Sequence, residues 1–361
     1  MSLPLASVLQ RLPAISHFLI LILAIYGPYN FPLLYASTRF FVHIVLFAHQ
    51  ILSAWGQFCA WRGVEATCYP KTYKTHDLDH IIIIPTYKEE LELLRETLDV
   101  FASHLQTRDR YRICLAMESR EVGSEKKAIQ LKSEYMEVFA EFDYSIHPVI
   151  NGEAPGKSSN VNWAARHMAA KFDVKEHMRQ IITVIDSDTC LAQDYFQMVA
   201  DRFMAASPVI RSKMMFCVPI VFDRNAHEVP IFVRLTDILW CQAGLSTTYP
   251  SSGIKIPTST YGISMQLAND VGFWDTGPDA IGEDMHMFTK CFLSTGGSLH
   301  VETIYSPASQ LNVVGSRHAE GGISAWVSDM CARYSQGMRH VVSSLFLLTV
   351  DVGILRFKLR A

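Results

Sequence analysis

The sequence predicts an α/β domain with a mostly parallel sheet and flanking helices, preceded by N-terminal transmembrane helices. Three observations carry this expectation. Short apolar runs such as His80–Pro85 (HIIIIP) and Ile181–Ile185 (IITVI) recur along the chain, with the unbroken apolar character of strands buried on both faces. Stretches at helical spacing separate them, as in Leu91, Leu94, Leu98 and Phe101; strand–helix–strand alternation implies right-handed crossovers and a parallel sheet. Phe40 to Ala60 runs 21 residues without Asp, Glu, Lys or Arg, bracketed by Arg39 and Arg62, which meets the ~20-residue length of a bilayer span.

Composition narrows the class. The 361 residues suffice for one large domain with attachments or two modest ones. Charged residues make up 19%, hydrophobic ones 49%, and the mean hydropathy is +0.14, which leans toward a membrane. The net charge of -3 supplies no basic field for nucleic acid, so no nucleic-acid partner is expected. Disorder, collagen and a small disulfide scaffold are excluded by the same numbers. The eight cysteines form no CxxC pair and no metal spacing, as reduced thiols facing cytosol would.

The elements follow in order. Residues 1–72 are expected to be a membrane region of one or two transmembrane helices. Leu12–Tyr26 is short for a span but becomes long enough if extended through Gly27-Pro28 to about Leu34. A signal peptide is the alternative there, with Arg11 before an apolar Phe18–Ile25. Residues 73–340 are expected to be the catalytic domain. Its strands are expected at His80–Pro85, Arg112–Met117, Ser145–Ile150, Ile181–Ile185 and Met214–Phe222. Its helices are expected at Lys88 to about His104, Glu121–Phe142, Ser158–Phe172 and Gln193–Ala206. Residues 341–361 read as an apolar segment, Val341–Leu355, followed by Arg356, Lys358 and Arg360, which suits a membrane-associated end. The chain is thus expected to be an integral membrane protein of an endomembrane or the plasma membrane, its catalytic domain on the cytosolic side.

Several short motifs carry chemistry. Asp186-Ser187-Asp188 directly follows the buried strand IITVI. Ligands of open α/β sheets bind at the carboxyl ends of strands, and two carboxylates there can hold a hard divalent cation against a diphosphate. An ordinary Asp-rich turn is the alternative. Glu283-Asp284 opens a helical segment, where acidic residues are favoured by the dipole in any case; the functional alternative is a general base near a sugar acceptor. Gly152–Ser158 (GEAPGKS) has three residues between its glycines where a P-loop has four, so a nucleoside triphosphatase is rejected. Its Gly-Lys at a helix start still suits phosphate oxygens. Arg333-Tyr334 lies on a helix beginning near Ile323 and could also be a basic helix at a membrane surface.

Taken together, IIIIPTYKE, GK…N…W, DSD, GED and RY in this order resemble the family 2 glycosyltransferases, over roughly Asp79 to His340. The likeness is to their membrane-attached branch, with the cellulose, chitin and hyaluronan synthases, and more so to fungal-type members with an EDMHM-like motif. The resemblance implies a GT-A, Rossmann-like fold. It implies that Asp186 and Asp188 hold Mn²⁺ or Mg²⁺, with Asp186 also near the donor, and that Asp284 is the base with Glu283 beside it. It further implies that Pro85, Thr86, Glu89, Glu118, Lys157, Asn162, Arg333 and Tyr334 contact donor or acceptor. Glu118 stands where the family usually has an Asp that reads the uracil base, and Met330 stands where its QxxRW motif has Gln.

The implied activity is inverting transfer of a sugar from a nucleotide-diphospho-sugar, a UDP-sugar, to an acceptor hydroxyl on a lipid, small apolar molecule or growing glycan. The processive synthases continue past their RW motif with several membrane helices. One apolar stretch follows it here, which favours single transfer over polysaccharide synthesis. A catalytically idle relative acting as a membrane scaffold is the alternative from another class.

Overall fold

The computed structural model describes residues 3–67, 73–277 and 282–338. In chain order its strands are β1 (Asp79–Thr86), β2 (Tyr111–Glu118), β3 (Glu141–His147), β4 (Gln180–Val184), β5 (Met214–Cys217), β6 (Ile220–Phe222), β7 (Tyr261–Ser264), β8 (His300–Thr303) and β9 (Ala308–Gln310). Its helices are α1 (Leu3–Asn30), α2 (Pro32–Thr67), α3 (Leu91–Ala102), α4 (Thr107–Arg110), α5 (Ser124–Tyr135), α6 (Lys157–Ala169), α7 (Gln193–Ala205), α8 (Pro208–Arg211), α9 (Ile231–Leu245), α10 (Met265–Asp270) and α11 (Glu283–Ser294), followed by α12 over 322–338.

Seven strands form one sheet in the order β3-β2-β1-β4-β7-β5-β8. The first four run parallel; β7 lies antiparallel to both β4 and β5, and β8 is parallel to β5. The expected mostly parallel α/β sheet is present. The isoleucines of β1 explain themselves by their neighbours. Ile82 and Ile84 pack with Leu94, Leu98, Phe101 and Phe196 on one face, and Ile81 and Ile83 with Val161, Met168 and Met287 on the other. Both faces are covered by helices, so neither face of the strand admits a polar side chain.

His80 and, at the strand's end, Thr86 are the buried polar exceptions. His80 lies edge-on to Tyr111 and Phe196 at ring distances of 5.8 and 5.1 Å. Burial pushes its pKa down to about 3, while an unfolded histidine titrates near 6.5. Between those values the unfolded chain binds the extra proton, so stability falls as pH falls through that window, by up to a few kcal/mol. His80→Phe should flatten this acid limb in melting curves taken between pH 7 and 4. An unchanged fall in the variant would show that other groups carry it.

Three element expectations change. The helix expected over Glu121–Phe142 is confined to α5, because Phe139 and Phe142 turn into the core beside Tyr135. Phe142 belongs to β3, which starts four residues before the expected Ser145 and ends at His147. This is one of the two edge strands of the sheet. Its charges are held by ion pairs, Glu141 with Arg112 and Lys171 and Asp143 with Lys132 and Lys171, and that charge density imitates a solvated helix in the sequence. The extended segment Met214–Phe222 splits at Val218-Pro219 into β5 and β6, and β6 pairs with β9 in a separate two-stranded sheet. Proline has no N–H for a continuing ladder.

The N-terminal expectation is corrected. Among the described residues no helix is long and apolar enough to cross a membrane. This overturns the transmembrane helices and, with them, the location as an integral membrane protein. The uncharged run Phe40–Ala60 contains His43, His49 and Gln50, which dilute its apolar character. Its later part packs on protein: Ser53, Gly56 and Ala60 are buried. A Cβ on Gly56 would lie 1.9 Å from the Leu245 carbonyl oxygen, so only glycine admits α9 this closely. Thr67 Oγ1 donates to the carbonyl of Tyr305 at 3.5 Å. Residues 341–355, the expected C-terminal apolar segment, lie outside the described residues.

Candidate active site

The chain leaves β4 through Ile185 into Asp186-Ser187-Asp188, at the carboxyl end of a parallel strand. Across from it α6 begins at Lys157. Its N-cap, Gly156, has φ 139°, a conformation open to glycine. That start aims Lys157 Nζ at Asp186 Oδ1 (2.8 Å) and at the Ser259 carbonyl (3.0 Å). Glu283 Oε1 lies 3.2 Å from the same ammonium. Glu283 is buried and opens α11 after Gly282, whose φ is 89°. Two glycine-capped helix starts and one strand end therefore converge on one cation.

The electrostatics follow from this count. Burial works against the charge of Lys157, but Asp186 and Glu283 more than offset it and its pKa is raised. Burial pushes Asp188 up to about 7, with the charge of Asp186 adding to the rise. Burial likewise pushes Glu283 up to about 8, against the pull of Lys157, and raises Asp284 as well. One ammonium cannot neutralise four clustered carboxyl groups, so the site has room for a further positive charge. Among the described residues no three His, Cys, Asp or Glu side chains converge as a metal cage. Two carboxylates are nevertheless a fitting donor set for Mg²⁺ or Mn²⁺, which commonly takes its other ligands from water and substrate phosphates.

The sequence-derived residues divide into those gathered here and those placed elsewhere. Asp186, Lys157 and Glu283 meet directly. Asp188 Oδ2 accepts from the Leu311 amide at 3.2 Å. Asp284 Oδ1 accepts from the Met285 amide at 2.8 Å, within its own helix turn. On the other side of the sheet end, Pro85, Thr86 and Glu89 leave β1, and Thr86 Oγ1 donates to the Ile84 carbonyl at 3.2 Å. Burial raises the pKa of Glu89. Glu118 ends β2, only 2% exposed, paired with Arg120. Asn160 donates to it at 3.4 Å, whereas the expected Asn162 accepts from Arg166 at 3.2 Å.

Arg333 lies on α12. It forms a buried pair with Asp237 of α9 at 2.8 Å and donates to Gln336 at 2.6 Å. Tyr334, its neighbour, is 70% exposed. On a helix adjacent residues point about 100° apart, so one faces α9 and the other faces outward.

Other residues at the site had no signal in the sequence. Gln310 Nε2 on β9 donates to Thr189 Oγ1 (2.7 Å), Ser259 Oγ (3.2 Å) and Asp186 Oδ2 (3.3 Å). Arg224 donates to the Asp188 carbonyl at 2.5 Å and to Glu96 at 2.7 Å. One residue along from Ser259, Thr258 lines a small cavity, no larger than about one water, with Val218, Ile220, Trp240, Leu245 and Ile256.

Acidic and basic groups gathered at the carboxyl ends of the strands occupy the place where open α/β sheets bind their ligands. The glycosyl transferase family 2 model matches residues 81–255, and the glycosyl transferase family group 2 model matches residues 181–359. The chain carries a glycosyltransferase family 2 domain, and the mixed, mostly parallel sheet is of the GT-A type. No curated protein matches the chain. Among solved structures, it is similar to the mannosyltransferase PcManGT from Pyrobaculum calidifontis in complex with GDP-Man and Mn²⁺, at 17% identity and TM-score 0.46, covering 88% of this chain and 86% of that one. It is also similar to S. aureus TarS 1-349, at 13% identity and TM-score 0.42, covering 65% and 60%. GalNAc-T7 with UDP, GalNAc and Mn²⁺ aligns at 12% identity and TM-score 0.41, covering 65% and 43%.

Proposed function

We propose that this chain is an inverting glycosyltransferase that moves a sugar from a nucleotide-diphospho-sugar, a UDP-sugar, to an acceptor hydroxyl. The observation that carries the reading is the single ammonium of Lys157 held by Asp186 and Glu283 at the end of β4. Asp186 and Asp188 would hold Mn²⁺ or Mg²⁺, which when bound neutralises the charge that builds on the departing diphosphate. Lys157 adds a second positive charge on the same side, and its raised pKa keeps it protonated through the reaction. Glu118, buried at the end of β2, would accept from the base imide N–H. Pro85, Thr86 and Glu89 would line the nucleotide.

The acceptor hydroxyl must lose its proton as it attacks C1 of the sugar. Asp284 would take that proton, and attack opposite the leaving group inverts the anomeric centre. Glu283, already occupied by Lys157, would orient the site. The gathered carboxylates and lysine support an active enzyme over an idle scaffold.

The test is a panel of nucleotide sugars offered to the purified full chain, read by nucleotide release with Mn²⁺ or with EDTA. Release from one donor class, restored by Mn²⁺ after EDTA, is the expected result. No release from any donor under either condition would overturn the reading.

A further inference from the structure

The loop leaving β1 contains a backbone strain that the carboxylate cluster does not explain. Lys88 has φ 64°, in the left-handed region. A residue with a Cβ is strained there and persists only where its surroundings hold it. The Lys88 amide donates to Oε2 of Glu121 at 2.7 Å. Lys127, on α5, donates from Nζ to the Glu89 carbonyl at 2.5 Å and also to Oε1 of Glu121. Glu121 is 7% exposed and the Lys127 side chain 17%. One carboxylate and one ammonium thus grip the backbone on both sides of the strained residue, and charge-assisted bonds of this kind are the strong ones.

The same contacts close the loops after β1 and β2 into one body. The Tyr87 ring lies 5.1 Å from Lys88 Nζ and 5.1 Å from the Arg120 guanidinium. Arg120 in turn pairs with Glu118. Lys88 is therefore tied directly to Glu121, Glu89 is tied to it through Lys127, and the Glu121 amide donates to the Glu118 carbonyl at 3.1 Å.

We propose that Glu121 and Lys127 are a positioning pair that holds Tyr87–Glu89 in the strained conformation that receives the donor's nucleotide. The proposal rests on the reading of this loop as nucleotide-contacting. It concerns donor binding rather than the chemical step, and neither residue touches the sugar or the acceptor.

Glycine adopts φ 64° without strain, which supplies the test. Binding of UDP and of GDP, each with Mn²⁺, is measured by calorimetry on the full chain for wild type, Glu121→Gln, Lys88→Gly and the double variant. Glu121→Gln sets an amide N–H₂ against one of its two donors, and nucleotide affinity is expected to fall about tenfold or more. Lys88→Gly should restore most of that loss in the double variant, whereas a merely structural role would show no such rescue. Should Glu121→Gln fail to fold, Lys127→Met with and without Lys88→Gly is read in the same way. Unchanged affinity in the brace variant, or a loss that glycine does not rescue, overturns the proposal alone. A wild type that binds neither nucleotide overturns the functional reading and this proposal with it.

Discussion

Asp188→Ala is expected to lower nucleotide-sugar turnover by at least about 10²-fold, the scale on which one electrostatic stabiliser is felt. Asp188 sits two residues past Asp186 at the end of β4. Burial, with the charge of Asp186 added, pushes its pKa up to about 7. Asp186 already has Lys157 at 2.8 Å, while Arg224 reaches the backbone carbonyl of Asp188 and not its carboxylate. Of these two, Asp188 therefore has more to gain from a divalent cation, and its loss leaves the diphosphate repulsion uncompensated. Mn²⁺ titration followed by spin resonance should show weakened binding in the same variant. Full turnover of Asp188→Ala in EDTA would sink the assignment.

The second large effect separates two adjacent carboxylates. Asp284→Asn should lower turnover roughly 10²–10⁴-fold with nucleotide-sugar binding near wild type, because Asn keeps the shape but cannot take the proton. Glu283→Gln should act differently. Glu283 is buried against Lys157 at 3.2 Å, so its loss frees the ammonium to redistribute and should be felt in donor binding as well as rate. Adjacent side chains on α11 diverge by about 100°, so one can face the acceptor while the other faces Lys157. Burial raises the pKa of Asp284; as the base must be ionised, turnover should climb as pH rises through that raised value. If Glu283→Gln alone abolished turnover with binding intact, the roles would be exchanged. If both variants lost nucleotide binding equally, the pair would be structural.

The two N-terminal helices show where a local pattern misleads. An uncharged run of 21 residues satisfies a length rule for a bilayer span. The same run contains Gly56, which in the fold is the contact point for α9. Only the small residues Ser53, Gly56 and Ala60 of that run are buried, while Phe40, Phe41 and Phe47 stay well exposed; an uncharged run reports composition, not what covers it. The guanidinium of Arg333 pairs with Asp237, a residue 96 positions earlier in the sequence.

The sequence by itself determined the buried strands, the acidic pair at the end of one of them, and the lysine that opens α6. These are local properties: unbroken apolar runs need cover on both faces, and a strand end followed by Asp-Ser-Asp places its carboxylates at the sheet's edge whatever surrounds them. The tertiary structure alone decided what meets those carboxylates. Gln310 reaches Asp186 across 124 residues of chain, Glu121 holds the amide of Lys88 across 33, and β7 enters the sheet antiparallel to β4, with Ser259 just before it. No periodicity encodes such meetings, because hydrogen bonds between distant residues depend on the packing of whole elements and leave no repeat in the sequence that makes them.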